Sequence, residues 1–430
     1  MRAHWSKLGF ILVAIGSAVG LGNIWRFPYI VGESGGGAFL IPYFIAILFF
    51  GIPVMLIGLA AGRKFKGSVL TTLGKINPKI KYIGLIPVIV TLAILSYYLV
   101  ITGWTFGYFI FSIFGYMSFD AFTETLYPLF LFFGAVALIA LIVKLGIKRG
   151  IERTCKYLLP LLFLFILIIL VKSLSLPNAM EGIKFYLTPD LSMLSNPRIW
   201  LLAFGQAFFS LSVGFGIMLT YGSYLSNKEN IPRSAFTIAG ADTLIAILAG
   251  FIIFPIVFSF GFSPSAGPEL VFIALPEIFS VMSFGQIFGA LFFLLLFIGA
   301  MTSAISMLEV GVTILIDERK FSRTKATILI SSIIALIGLP SALSYSGFNI
   351  TLLGRPFLDS MDIIFGSFLA PIGAISLCIA IGWFWDSKKL LNEINKNSKI
   401  KIPYLMIYLV KYVIPIVLFG VFALELLKLL

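Results

Sequence analysis

Apolar residues run along this chain in eleven long stretches: 8–31, 39–62, 83–115, 126–144, 156–176, 199–224, 235–262, 285–316, 324–341, 357–385 and 404–428. Each is long enough for a helix to cross a hydrocarbon core roughly 30 Å thick, and several are long enough to tilt. The polar positions between them are not evenly charged. Lys and Arg crowd the segments 63–82 and 144–156, recur at Lys228 and Arg233, cluster from Arg319 to Lys325, and return between Lys388 and Lys401. The alternating segments 32–38, 116–125 and 263–284 hold no Lys or Arg. Because basic loops stay on the cytoplasmic side, this alternation predicts a cytoplasmic N-terminus and, after an odd number of spans, an external Leu430.

Composition agrees with a polytopic membrane protein: 60% of the 430 residues are hydrophobic, 11% are charged and the mean hydropathy is +1.08. The net charge of +13 comes from the inner loops, so it points to membrane topology rather than to nucleic acid. Met1 to Lys7 is a short basic start that leads directly into the first span, without the pattern of a cleaved signal peptide. The one histidine, His4, rules against a His-based metal centre or proton relay, and Cys155 and Cys378 form no disulfide or metal-binding pattern. Two connections carry structure of their own. Residues 177–198 predict a short external helix. The Pro- and Gly-containing stretch 263–284, apolar from Leu270 to Leu275, predicts an external hairpin packed into the protein, the alternative being an unstructured loop.

Two spans are interrupted in the same way. Gly16-Ser-Ala-Val-Gly-Leu-Gly-Asn23 and Ser210-Leu-Ser-Val-Gly-Phe-Gly216 share a Val-Gly-x-Gly core, Val19 to Gly22 in one and Val213 to Gly216 in the other. Paired glycine-interrupted segments in two halves of a membrane protein mark the binding site of a transporter, because a broken helix frees N–H and C=O groups for ions and substrate. The plain alternative is two helices packed closely through small residues. With five spans per half, the two breaks cross the membrane in opposite senses. This predicts a five-plus-five inverted repeat over about 8–176 and 199–385, with helix 404–428 peripheral, in a single all-α transmembrane domain.

The longer motifs carry a family resemblance. Trp5-Ser-Lys-Leu-Gly9, Gly16-Ser-Ala-Val-Gly-Leu-Gly-Asn-Ile-Trp-Arg-Phe-Pro28 and Gly35-Gly-Gly-Ala-Phe-Leu-Ile-Pro42 resemble the first two helices of the neurotransmitter:sodium symporters, in particular their prokaryotic amino-acid transporters. Gly205-Gln-Ala-Phe-Phe-Ser-Leu-Ser-Val-Gly-Phe-Gly216 with Thr220-Tyr-Gly-Ser-Tyr224 is similar to the sixth helix, and Gly299-Ala-Met-Thr-Ser303 to the eighth. The resemblance covers nearly the whole chain and implies the leucine-transporter fold and Na⁺-coupled uptake of an amino acid by alternating access.

By that resemblance the N–H groups of Leu21 and Gly22, with the hydroxyl of Tyr98, hold the substrate carboxylate, as suits a helix N-terminus. Tyr98 as a packed aromatic is the alternative. The carbonyls of Ala18, Phe209, Ser210 and Ser212 would accept from the ammonium. One Na⁺ site would use Ala18, Asn23, Ser210, Asp242 and the substrate carboxylate, which couples ion and substrate binding. A second would use the carbonyls of Gly16, Val19 and Gly299 with the hydroxyls of Thr302 and Ser303, although such hydroxyls also bond back to their own helix. Asp242 stands where many relatives carry Asn. Its fixed charge takes the place of a bound Cl⁻, so no chloride requirement is expected, and a carboxylate at this depth is functional by default. Ile94, Phe209, Ser212, Phe215, Ser303 and Met307 would line an uncharged side-chain pocket for a neutral hydrophobic amino acid.

Arg26 and Asp362 form the expected outer gate, or else a static ion pair. Arg2 and Asp317, with Tyr224, form the expected inner gate, although Asp317 also reads as a solvated charge within Asp317-Glu-Arg-Lys. Gly58 replaces an acidic residue found in some relatives. No placed acid–base pair suggests an enzyme. A proton-coupled carrier on the same fold and a substrate-sensing receptor are the alternatives. The expected partners are a neutral hydrophobic amino acid, Na⁺ and membrane lipid, with no nucleic acid; these residues specify neither the amino acid nor the oligomeric state.

Overall fold

A computed structural model describes residues 4–115, 118–264 and 270–429. Helical segments occupy all eleven expected positions. Among the described residues, eight are single helices long and apolar enough to cross a membrane, and the bent pair Lys7–Ala18 and Gly22–Glu33 makes a ninth. The sixth span falls short because it is cut into Pro197–Ser210 and Ile217–Gly222. The eleventh appears as the shorter apolar helix Leu405–Gly420. The continuous spans are Gly36–Phe65, Pro78–Phe114, Tyr127–Lys144, Ile147–Leu174, Ile231–Ser259, Gly285–Arg319, Arg323–Leu343 and Phe357–Phe384, numbered two to five and seven to ten.

The expected short helix of the 177–198 connection is Ala179–Leu187. Of the 263–284 hairpin, 265–269 lie outside the described residues. The rest winds through Leu270–Ala274 into a helix at Leu275–Val281, and Val271, Phe272, Leu275 and Ile278 are buried, so the apolar stretch packs into protein.

The first half-helix, 1a (Lys7–Ala18), is the hub. It packs on spans five, seven and eight, while the half-helix 6b (Ile217–Gly222) packs on span two. Spans three and eight, the longest, run against each other along one side. Ser6 caps helix 1a by accepting from the Gly9 N–H and donates to Glu152 at the head of span five.

The end that carries the Lys/Arg-rich loops departs from a simple picture of solvated loop charge. Arg63, counted with the basic inner segment, is buried. Its Nε lies 2.7 Å from Glu393 Oε1, and Nη1 donates to the Glu229 carbonyl at 2.6 Å. A buried guanidinium needs such a full set of acceptors, and here they come from the loops after spans six and ten. Span two is thereby tied to both loops.

Candidate functional site

The first break begins where helix 1a ends at Ala18. Val19 closes it by donating to the Ile15 carbonyl, and the chain resumes as a wide turn over Gly22–Arg26, bent by 44°. The second break lies between Ser210 and Ile217. Gly214 and Gly216 take φ of +88° and +75°, and Ser212 takes +52°. At Gly214 glycine is required twice over, since a Cβ would also stand 2.7 Å from that of Ala374. The two breaks face each other: a Cβ on Gly22 would meet the Phe209 ring at 3.0 Å and the Ser210 Cα at 3.5 Å.

The released backbone groups find side chains. Gly20 N–H donates to Asn23 Oδ1 at 3.1 Å and Leu21 N–H donates to the Tyr98 hydroxyl at 3.3 Å. The Ser17 carbonyl accepts from Ser212 Oγ at 2.8 Å and from Ser303 Oγ at 3.2 Å. Gln206, fully buried in half-helix 6a (Pro197–Ser210), donates from Nε2 to the Gly22 carbonyl at 2.6 Å. A buried Gln on an apolar helix was the available signal for this residue, and it was not among the expected site residues.

Two oxygen-rich clusters result. In the first, Asp242 is fully buried and accepts from Asn23 Nδ2 at 2.7 Å and from Ser210 Oγ at 2.8 and 2.7 Å to its two oxygens. Asn23 therefore turns its nitrogen to the carboxylate and its oxygen to Gly20, which leaves that oxygen a second lone pair for a cation. Ala18 lies buried at the end of helix 1a.

The second cluster surrounds Gly20. A Cβ there would stand 2.4 Å from Ser303 Oγ, 2.9 Å from the Tyr98 hydroxyl and 3.3 Å from the Gly299 carbonyl. Such a cradle of neutral oxygens suits a hard monovalent cation. Ser303 Oγ crosses to helix 1a, within 3.5 Å of the Gly16 and Val19 carbonyls. Thr302 instead bonds back to Ile298 and Gly299 in its own helix, at 3.1 and 3.0 Å. The two adjacent hydroxyls thus behave differently.

Ile94, Phe215, Met307, Ser212 and Ser303 are buried around the breaks, and the Phe209 and Phe215 rings meet edge to face at 6.5 Å. On one side, Arg26 lies over the Phe209 ring at 5.0 Å and donates to Gln206 Oε1 at 3.1 Å, while Asp362 accepts from the Tyr97 hydroxyl at 2.8 Å. Arg26 and Asp362 form no direct ion pair in this arrangement, because each has taken a neutral partner. A cavity of about 350 Å³ lies beyond Asp362, walled by Trp104, Phe272 and Tyr345.

The opposite end is closed by Trp5. Its ring packs edge to face on Tyr221 and Tyr224 at 5.5 and 5.6 Å, and its Nε1 donates to the Tyr221 carbonyl at 3.2 Å. The Tyr224 hydroxyl donates to Glu309 Oε1 at 2.7 Å, and Arg323 pairs with Glu309 at 2.5 Å. This triad, buried at Tyr224 and Glu309 and half-buried at Arg323, was not anticipated, although a carboxylate inside span eight was its visible sign. Asp317 accepts from the Ser68 N–H at 2.6 Å. Its expected partner Arg2 lies outside the described residues.

The profile of the sodium:neurotransmitter symporter family matches residues 2–127 and 118–430. The chain belongs to this family. It is 36% identical to an uncharacterised sodium-dependent transporter of Haemophilus influenzae, over 98% of this chain and 97% of that one. It is 35% identical to the uncharacterised sodium-dependent transporter YhdH of Bacillus subtilis, over 97% and 96% of the two chains. The sodium-dependent serotonin transporter of Drosophila melanogaster is 29% identical, over 92% of this chain and 72% of its own length. Among solved structures, the crystal structure of MhsT in complex with L-phenylalanine matches with a TM-score of 0.90 and 40% identity, over 98% of this chain and 99% of that one. The protein is thus an all-α, multi-pass sodium-dependent transporter with the leucine-transporter fold, in a family of transporters rather than enzymes.

Proposed function

We propose that this symporter imports a neutral hydrophobic amino acid with Na⁺ across the plasma membrane, by alternating access and without chloride. The observation that carries this reading is the buried Asp242 carboxylate, fixed by Asn23 and Ser210 between the two helix breaks. It gives the first cation cluster a carboxylate of its own. A zwitterion then needs only main-chain partners: the Leu21 and Gly22 N–H groups and Tyr98 at its carboxylate, and the carbonyls of Ala18, Phe209, Ser210 and Ser212 at its ammonium. Its side chain would lie against Ile94, Phe209, Phe215 and Met307, where a charged side chain would be left unpaired.

Na⁺ would enter as cargo at two places: beside Ala18, Asn23, Ser210 and Asp242, and among Gly16, Val19, Gly299, Thr302 and Ser303. The halves 8–176 and 199–385 act as inverted repeats, with 404–428 peripheral, the N-terminus inside and the C-terminus outside. Arg26 with Asp362 closes the outer side, while Trp5, Tyr224 and the Arg2–Asp317 pair close the inner one.

The test is uptake of labelled amino acids into proteoliposomes, with and without an inward Na⁺ gradient and with gluconate in place of chloride. Na⁺-driven accumulation of hydrophobic amino acids in gluconate is expected. Uptake that follows a proton gradient and ignores Na⁺ would overturn the ion assignments at Asn23, Ser210, Thr302 and Ser303.

A further inference from the structure

A second cavity, of about 500 Å³, opens along the seam between half-helix 6a, span ten and span eleven, on the side away from the Lys/Arg-rich loops. Three arginines line it: Arg26, Arg198 and Arg355. Arg198 lies in the first turn of half-helix 6a. Arg355 stands on a two-stranded hairpin, Thr351–Leu352 with Arg355–Pro356, whose tight turn uses positive φ at Leu353 and Gly354. No carboxylate lines this cavity, and among the described residues neither Arg198 nor Arg355 has a side-chain hydrogen bond or ion pair. Arg355 also borders the cavity that holds Asp359 and Asp362, so only part of its charge is offset.

The remaining wall is apolar and includes Leu201, Phe204 and Leu418. Leu201 and Phe204 continue into a neighbouring groove of about 440 Å³ that Trp200 and Val417 also line. A cationic mouth joined to a long apolar groove has the shape of an amphiphile with an anionic head. Guanidinium groups match phosphate oxygens in geometry as well as charge, and basic pockets between membrane helices suit anionic headgroups.

We propose that this seam is a binding site for an anionic phospholipid of the leaflet on that side. The phosphate lies among Arg198, Arg355 and Arg26, and an acyl chain lies along Leu201, Phe204 and Trp200. A free anion would use the arginines but gains nothing from the groove. Because Arg26 is shared with the expected outer gate, an occupied site would hold Arg26 away from Asp362 and bias the gate toward opening.

Trp200 provides the readout, since it lines the groove and is half-buried. The purified protein is placed in neutral nanodiscs and titrated with brominated phosphatidylglycerol or brominated phosphatidylcholine. The Trp200 signal is obtained by subtracting the quenching seen in W200F from that of wild type. Phosphatidylglycerol is expected to quench this signal at a mole fraction on the order of tenfold lower, and the preference should vanish in the double variant R198Q/R355Q. Equal quenching by the two lipids, or an undiminished preference in the double variant, would overturn the proposal. Loss of the preference on adding inorganic phosphate, at ionic strength matched with chloride, would overturn it in favour of a free anion. None of these readouts depends on transport.

Discussion

Replacing Asp242 with Asn changes charge at constant shape, and so isolates what the carboxylate contributes. In the structure the carboxylate accepts from Asn23 Nδ2 at 2.7 Å and from Ser210 Oγ at 2.7 and 2.8 Å. Asn fits the same space, keeps one acceptor and turns one acceptor into a donor. The lost quantity is therefore mainly Coulombic. Two unit charges about 4 Å apart at an effective dielectric of about 20 interact by about 4 kcal/mol, an upper limit once the site relaxes. At about 1.4 kcal/mol per decade, D242N should weaken apparent Na⁺ affinity by between about tenfold and a thousandfold. If Na⁺ and the substrate carboxylate share this site, equilibrium amino-acid affinity at limiting Na⁺ must fall in parallel, since coupling between two ligands is reciprocal. An added anion can replace the missing charge, so uptake by D242N should rise with chloride while wild type stays indifferent. The assay is a Na⁺ titration of uptake in proteoliposomes in chloride and in gluconate, with thermal melts confirming that D242N folds. A Na⁺ half-saturation within about threefold of wild type would refute the Coulombic argument, as would wild-type uptake that collapses in gluconate.

Gly20→Ala puts a methyl group 2.4 Å from Ser303 Oγ in the second cluster. An overpacking cost of about 1–3 kcal/mol should raise the Na⁺ half-saturation between about fivefold and a hundredfold in the same titration. Glu309→Gln leaves the Arg323 guanidinium without its counter-charge. The cost approaches about 3–5 kcal/mol for a fully buried pair and is smaller here because the Arg323 side chain is 22% exposed, so thermal unfolding should show a clear loss. Tyr224→Phe removes the donor to the Glu309 carboxylate and should lose about 1.5–3 kcal/mol in the same melt. Trp5→Ala loosens the inner closure, so maleimide labelling of Cys155, buried beside Gly16, should increase while Cys378 in span ten serves as the unchanged control.

Much of this architecture was legible because it follows from one-dimensional rules. Stretches of apolar residues mark spans, and alternating basic loops predict their direction. Val213 to Gly216 marks a break because Gly214 and Gly216 adopt conformations that other residues avoid, while in Val19 to Gly22 the glycines leave room for Ser303 and Phe209 to approach. The less legible features depend on partners far apart in sequence. Glu309 meets Tyr224 across 85 residues and Gln206 meets Gly22 across 184, and no periodicity encodes such meetings. Arg63 was read with the loop charges, and nothing local showed that Glu393 and Glu229 would enclose it. Arg26 and Asp362 pose a different difficulty. Each can satisfy its polar groups with a neutral neighbour, Gln206 or Tyr97, so residue identity alone does not determine whether they pair.

The neighbours Thr302 and Ser303 show the limit of register most clearly. Successive residues on an α-helix project about 100° apart, so the two hydroxyls cannot face helix 1a equally. Ser303 points across to the Ser17 carbonyl, while Thr302 folds back onto Ile298 and Gly299. The Gly299 carbonyl thus already accepts from Thr302 as it faces Gly20. Rotating the Thr302 hydroxyl away from its helix to meet a cation would remove its donation to Gly299 and cost the back-bond. Ser303 needs no such step. Ser303→Ala should therefore weaken Na⁺ binding more than Thr302→Val, whose lost contribution is offset by the back-bond it no longer has to break. Equal losses in the two variants, measured by Na⁺ titration of equilibrium amino-acid binding, would show that the two hydroxyls contribute alike despite their different orientations.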